Sequence, residues 1–311
     1  MAERPGRGWG AVAVLTLVAA TLSLLGPLLL VLVPLALLFI AVPPRRPGLA
    51  ALGCGLLAVA LLYDRGADTL WFVSRGWALV AGAWFVIAVV ALPRARFLAR
   101  GLAAVAATAA TAALCLVAIP GGWPYLDWLA SQRYHRAAAE LAARWGAAAA
   151  AEGWTAPVAL AESIREAAEL QILLHPALLA LASLAGLGVA WWGFRRLTVR
   201  EERPLAPFRE FRFRDELVWV LIGGLLLVVL PLGDPAVRAG SNLLAFMGAL
   251  YALRGAAVVL AVLGPPGFGS AMLGIVALFF LPMVMAASVL VGVTDTWLDL
   301  RARRSPVRPG S

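Results

Sequence analysis

Five polar side chains sit where apolar helices would hold them. Asn242, Tyr251 and Arg254 fall within the run Gly240 to Leu263, and Asp295 and Asp299 fall within TDTWLDLRAR near the C-terminus. The run is long enough to cross a bilayer, with Arg254 close to its middle. An arginine at that depth is unfavourable by about 2.5 to 3.5 kcal/mol on insertion scales, so a partner inside the protein is expected. A rise of about 1.5 Å per residue from Gly240 carries Arg254 about 21 Å along the helix, too far for its guanidinium to snorkel out. Arg254 is therefore expected to face the bundle interior on the side of Tyr251, with Asp295 as its first partner. Asp295 and Asp299 lie one helical turn apart and can share a face. They could bind a cation or pair with Arg254. Alternatively, Asp295, Trp297 and Arg301 merely anchor a helix end at the interface.

No other residue pattern points to catalysis. HExxH, GxSxG and GxxxxGK[ST] are absent, as is GxGxxG between strand and helix. Every basic side chain is arginine, so a P-loop lysine and a Schiff-base lysine are both impossible. The only histidines are His135 and His175, too few for an imidazole-rich metal site. His175, beside Pro176, reads either as a hydrogen-bonded anchor or as a proton relay. Cys54 and Cys115 lie in apolar runs with no CxxC neighbour, and read as buried packing without a disulfide or metal role. A non-enzyme is expected, with no catalytic residue, cofactor or metal.

The elements that must position the five polar residues follow from composition. Hydrophobic residues make up 62% of 311 and charged residues 14%, with mean hydropathy +0.89, well outside the soluble range. The net charge of +9 is not pooled on one face, which argues against nucleic acid. The expected fold is all-α: a polytopic transmembrane bundle of eight or nine spans with an extracytoplasmic helical hairpin. Trp9 to Val42 is split at Gly26-Pro27 into a tight hairpin whose second arm contains Pro34. Leu49–Tyr63, Thr69–Leu92 and Leu102–Ile119 follow. In the last of these, Ala99, Ala103 and Ala107 form a candidate close-packing stripe. Residues 121–169 differ in kind, mixing six carboxylates with four arginines. Their helical periodicity predicts two helices, Tyr134–Ala150 and Ala156–Glu169, outside the bilayer. Leu170–Phe194 is the sixth span, with small residues at Ala182, Gly186 and Ala190. The connector from Arg195 to Glu216 interleaves phenylalanine with arginine, as expected for a segment in the headgroup layer. Leu217–Leu232, Gly240–Leu263 and Ala271–Val293 complete nine apolar stretches. Three regions result: a five-span half at 1–120, the hairpin at 121–169, and 170–311 with three or four spans and a basic tail.

Placing Arg45, Arg46, the Arg94–Arg100 cluster and the 195–216 connector in the cytoplasm puts Asp64, Asp68 and the hairpin outside, with the N-terminus inside. Three further crossings would then put Arg301, Arg303, Arg304 and Arg308 outside, against the same rule. Either Leu217–Leu232 does not fully cross or the tail breaks the rule.

The C-terminal third resembles a known family. FRFRDELVWVLIGGLLLVVLPL, GSNLLAFMGALYALRGAAVVL and GVTDTWLDLRAR are similar to the YybS family of predicted bacterial membrane proteins, a domain of unknown function. Asn242, Tyr251, Gly255, Asp295 and Arg301 match its pattern, while Arg254 stands where glutamine is expected. The resemblance implies a multi-pass protein of the bacterial cytoplasmic membrane, and no substrate or reaction. Two readings stay open. One is a small-molecule carrier or substrate-binding membrane subunit, similar in layout to energy-coupling-factor transporter components, with Asn242, Tyr251 and Arg254 lining its cavity. The other is a non-catalytic envelope scaffold or assembly protein, with the bilayer around it and other membrane proteins docking on residues 121–169 or 195–216. An intramembrane enzyme lacks a nucleophile–base pair.

Overall fold

The computed structural model describes residues 9–22, 26–44, 46–62, 69–155, 157–199, 205–263 and 281–299. The expectations for Arg45, Asp64, Asp68, residues 271–280, Arg301 and the tail to Arg308 lie outside these residues. All regular structure among the described residues is helical. The chain divides into two compact units, residues 1–205 and 206–311.

The first unit holds α1 (Trp9–Leu22), α2 (Pro27–Ala41), α3 (Pro47–Leu62), α4 (Thr69–Ala91), α5 (Phe97–Ala118), α6 (Gly122–Ala151), α7 (Val158–Leu173) and α8 (His175–Thr198). Its centre is α2, which packs on α3, α4 and α8 although it is only 15 residues long and carries Pro34. Leu30, Val33, Ala36, Leu38 and Phe39 of α2 are all buried. On α8 the small stripe Ala182, Gly186 and Ala190 is buried as expected, and Gly186 lets the α2 backbone at Leu30 approach closely. α8 therefore packs with the N-terminal helices α1, α2 and α5, whereas the sequence groups it with the C-terminal region.

Two expectations about packing are corrected. Ala99 and Ala103 point outward, and α5 instead packs through Arg100, Gly101, Ala104, Val105 and Thr108. The reason is that α5 is peripheral: Leu114 and Val117 are open to the surroundings, so only its N-terminal half has neighbours to meet. Cys54 and Cys115 are exposed rather than buried, and both are free thiols. α6 and α7 pack against each other across a turn in which Gly153 takes φ +77°, a conformation natural only to glycine. α6 begins at Gly122, three turns before the expected Tyr134, because Trp123-Pro124 opens a helix instead of interrupting one.

The second unit holds a connector with short 3₁₀ turns at Phe208–Glu210 and Asp215–Leu217, then α9 (Val218–Val229), α10 (Asp234–Leu263) and α11 (Leu281–Leu298). α10 lies against both α9 and α11. α4, α5, α8 and α10 are long and apolar enough to cross a membrane; α1, α2, α3 and α11 are shorter apolar helices. α9 has 12 residues and rises about 18 Å, against about 30 Å of hydrocarbon.

Candidate functional site

The geometry around Arg254 begins with two glycines. Gly255 on α10 faces Ser288 and Gly292 on α11, and Gly292 in turn faces the backbone of Tyr251. A Cβ at either glycine would overlap a backbone carbonyl oxygen of the opposite helix, so the two helices touch main chain to main chain. This approach fixes what the neighbouring side chains can reach. Arg254 immediately precedes Gly255 and Asp295 follows Gly292 by three residues, and Arg254 Nε donates to Asp295 Oδ2 at 3.0 Å. Arg254, Asp295 and Tyr251 each have 0% relative exposure. The sequence-derived pairing of Arg254 with Asp295, on the side of Tyr251, is thus present in the fold.

The connector supplies what the sequence reading did not. Arg254 Nη1 donates to Asp215 Oδ1 at 2.8 Å, so the guanidinium is held between a carboxylate from α11 and one from the turn before α9. Phe213 is buried, lies 5.4 Å from the Arg254 Cζ atom, and meets the Tyr251 ring edge-on at 5.0 Å between centroids. The connector is therefore strapped onto α10 by one ring and one carboxylate. Phe208 remains exposed.

From Asp215 the charges continue outward. Arg212 Nη2 lies 3.6 Å from Asp215 Oδ2, and its Nη1 lies 3.5 Å from Asp299 Oδ1. The order Asp295–Arg254–Asp215–Arg212–Asp299 alternates in sign and runs from fully buried to nearly half exposed. Asp299 closes α11 with φ +40°, a left-handed conformation that aspartate tolerates better than most residues. Alternation is favourable because each interior charge has an opposite neighbour on either side. A buried ion pair offsets its several-kcal/mol desolvation only when such contacts are complete.

Asn242 stands apart from this group. It is twelve positions before Arg254 on α10, about 18 Å along the axis, and its Nδ2 donates to Arg238 O at 2.9 Å. The signal that could have revealed Asp215 is the DEL triplet directly before an apolar run: a carboxylate at a helix entrance can turn back towards a cation on a neighbouring helix.

The first unit solves its buried arginines differently. Arg75 donates from Nε to Leu61 O at 3.1 Å and lies 3.8 Å over the Trp71 ring. Arg100 donates to Leu92 O at 2.9 Å and to Pro93 O at 2.6 Å. Arg75 thus caps a carbonyl of the last turn of α3, which has no intrahelical donor, and Arg100 binds carbonyls of the turn that follows α4. Near the other end of α8, His175 Nδ1 and the Tyr134 hydroxyl are 3.2 Å apart, tying α6 to the start of α8. Burial pushes the Tyr134 phenol up to about 12. Among the described residues, no group of three or more histidine, cysteine or carboxylate side chains is placed to hold a metal.

A family model described as a predicted membrane protein (DUF2232) matches residues 10–296. No curated protein and no solved structure matches the chain.

Proposed function

The chain belongs to the DUF2232 family of predicted membrane proteins, and on that premise we propose that it is a non-catalytic scaffold of the bacterial cytoplasmic membrane. The observation that carries this reading is the closure of the polar site. Tyr251, Arg254 and Asp295 have no exposed surface, and Arg254 and Asp295 bind each other, which supports a closed lock rather than an open binding cavity. A buried arginine with two carboxylates and a ring over it acts as a lock between helices. On this reading the N-terminus is cytoplasmic, α6 and α7 stand outside, and those two helices and the basic connector are the docking surfaces. The chain further reads as a YybS-type member of the family.

One observation favours a carrier instead. The ion pairs lead from Arg254 to Asp215, Arg212 and Asp299, all partly exposed, so an anionic ligand arriving there would compete with Asp215 for Arg254. Native mass spectrometry of the gently extracted protein separates the two readings. The scaffold is expected to carry lipid alone. A stoichiometric small molecule other than lipid, lost in Arg254→Gln, would overturn the scaffold and establish the carrier.

A further inference from the structure

The first unit has a chemical polarity that the scaffold reading does not use. Ring contacts join Phe39 of α2 to Phe194 of α8, Phe85 of α4 to Phe97 of α5, and Phe85 to Trp191 of α8. The C-terminal halves of α2, α4 and α8 and the start of α5 therefore share one end of the unit. That end carries Arg94, Arg96, Arg100, Arg195 and Arg196. The described carboxylates of the unit, Asp127, Glu140, Glu152, Glu162, Glu166 and Glu169, all lie on α6, α7 and the turn between them.

The arginines at the basic end are organised around tryptophan and backbone. The Cζ atoms of Arg100 and Arg195 lie 5.2 Å and 5.5 Å from the centroid of the same indole, Trp191, and Arg196 lies 5.8 Å from Trp192. The guanidinium of Arg100 binds the Leu92 and Pro93 carbonyls and so fixes the turn between α4 and α5. Arg94 and Arg96 project from that fixed turn and are exposed. A shallow recess lined by Ala91, Leu92, Pro93, Arg94 and Ala95 opens beside them. The carbonyls and the indole around Arg100 stabilise its cation without neutralising it, so the turn stays positive. α4, α5 and α8 are each long enough to span, which places their shared end at the level of lipid headgroups.

We infer that this end is a binding site for the phosphate of an anionic phospholipid, with Arg94 and Arg96, which lie in the α4–α5 turn, as the phosphate ligands and the recess beside Arg94 seating the headgroup. Guanidinium is suited to the role because its planar donors match phosphate oxygens, and basic clusters at span ends attract acidic lipids. Arg100 is a positioning residue that holds the turn.

The test uses the full chain in nanodiscs containing equal phosphatidylglycerol and phosphatidylcholine. Lipid retained after extraction is read by native mass spectrometry. Wild type should retain phosphatidylglycerol preferentially. Arg94→Gln alone, at an exposed site, should lower that preference several-fold, and adding Arg96→Gln should abolish it. Changing Arg133, Arg136 and Arg144 of α6 to glutamine should leave it unchanged. Equal retention of both lipids, or an equal effect of the α6 substitutions, would overturn the site. Displacement of the lipid by millimolar inorganic phosphate would assign the site to a free anion and overturn the lipid.

Discussion

Arg254 depends on two carboxylates of very different standing. Asp295 is fully buried and Asp215 is 44% exposed, so their contributions separate experimentally. Arg254→Leu removes the cation and leaves Asp295 charged with little solvent to receive it, a loss of about 3–5 kcal/mol. Thermal unfolding in detergent should register it. Arg254→Gln should be tolerated far better, since an amide can still donate to Asp295. Adding Asp295→Asn to Arg254→Leu should bring little further loss, because one interaction is already gone; simple addition of the two effects would refute the pair. Asp215→Asn should be worth only about 1 kcal/mol, since water already screens that side. A second prediction concerns Tyr134. Its phenol, raised to about 12, is neutral where an unfolded tyrosine would ionise near 10, so its contribution is complete below pH ~10 and lost as pH rises through ~12. The tyrosinate absorbance of wild type minus Tyr134→Phe should rise near 12, and a rise near 10 would mean the α6–α8 contact is open. The pair Arg254–Asp295 was legible because a charge in an apolar run demands a partner. Asp215 was not, because a carboxylate among arginines and phenylalanines looks like surface until the chain folds back. Asn242 was grouped with the others by sharing a helix, but helical rise carries it away from them.

Helix contacts in this protein are set more by where side chains are missing than by where they are large. The α10–α11 contact is the clearest case, and it makes a prediction opposite to helix propensity. Alanine forms helix better than glycine by about 1 kcal/mol, yet Gly255→Ala and Gly292→Ala should each destabilise the second unit by at least about 1–3 kcal/mol. The added methyl has no room and must drive the helices apart, stretching the 3.0 Å pair beside it. Gly248→Ala on the same helix meets nothing within 4 Å and should be neutral or stabilising. Unfolding midpoints of the three variants decide the matter; equal effects would mean the helices are not in main-chain contact. The same logic explains which elements the sequence revealed. The α8 stripe was readable because Ala182, Gly186 and Ala190 recur with a clear period, and α2 has bulky residues to meet it. The α5 stripe was misread because alanine dominates every face of that helix, so spacing alone does not choose one. Where α6 begins was missed for a related reason: Gly-Gly-Trp-Pro resembles a break, but only its first glycine is left-handed, and Pro124 sits in the first turn where its missing N–H does no harm.

At the scale of the whole chain, the expected orientation rests on charge sign and helix length together. In the first unit the described acidic residues lie on α6, α7 and the turn between them, and arginines collect where α4 and α8 end and α5 begins. Arginine-rich span ends face the cytoplasm, because translocating them is disfavoured. The connector leaving α8 must start from that same end, since α8 carries Arg195 and Arg196 in its last turn. Ala143 on α6 and Ala206 in the connector are both exposed, so a cysteine at either place is open to a reagent without disturbing packing. Cys54 and Cys115 are themselves exposed and free, so both must be replaced first. In that background, a membrane-impermeant thiol reagent added to intact cells should label a cysteine at position 143 and spare one at position 206. After the membrane is opened, position 206 should label as well, which shows that protection came from the bilayer and not from the fold. Labelling at 206 alone in intact cells would reverse the orientation and place the arginine end outside. Labelling at both would mean that α8 does not cross, and would break the link between its 24-residue length and its role as a span.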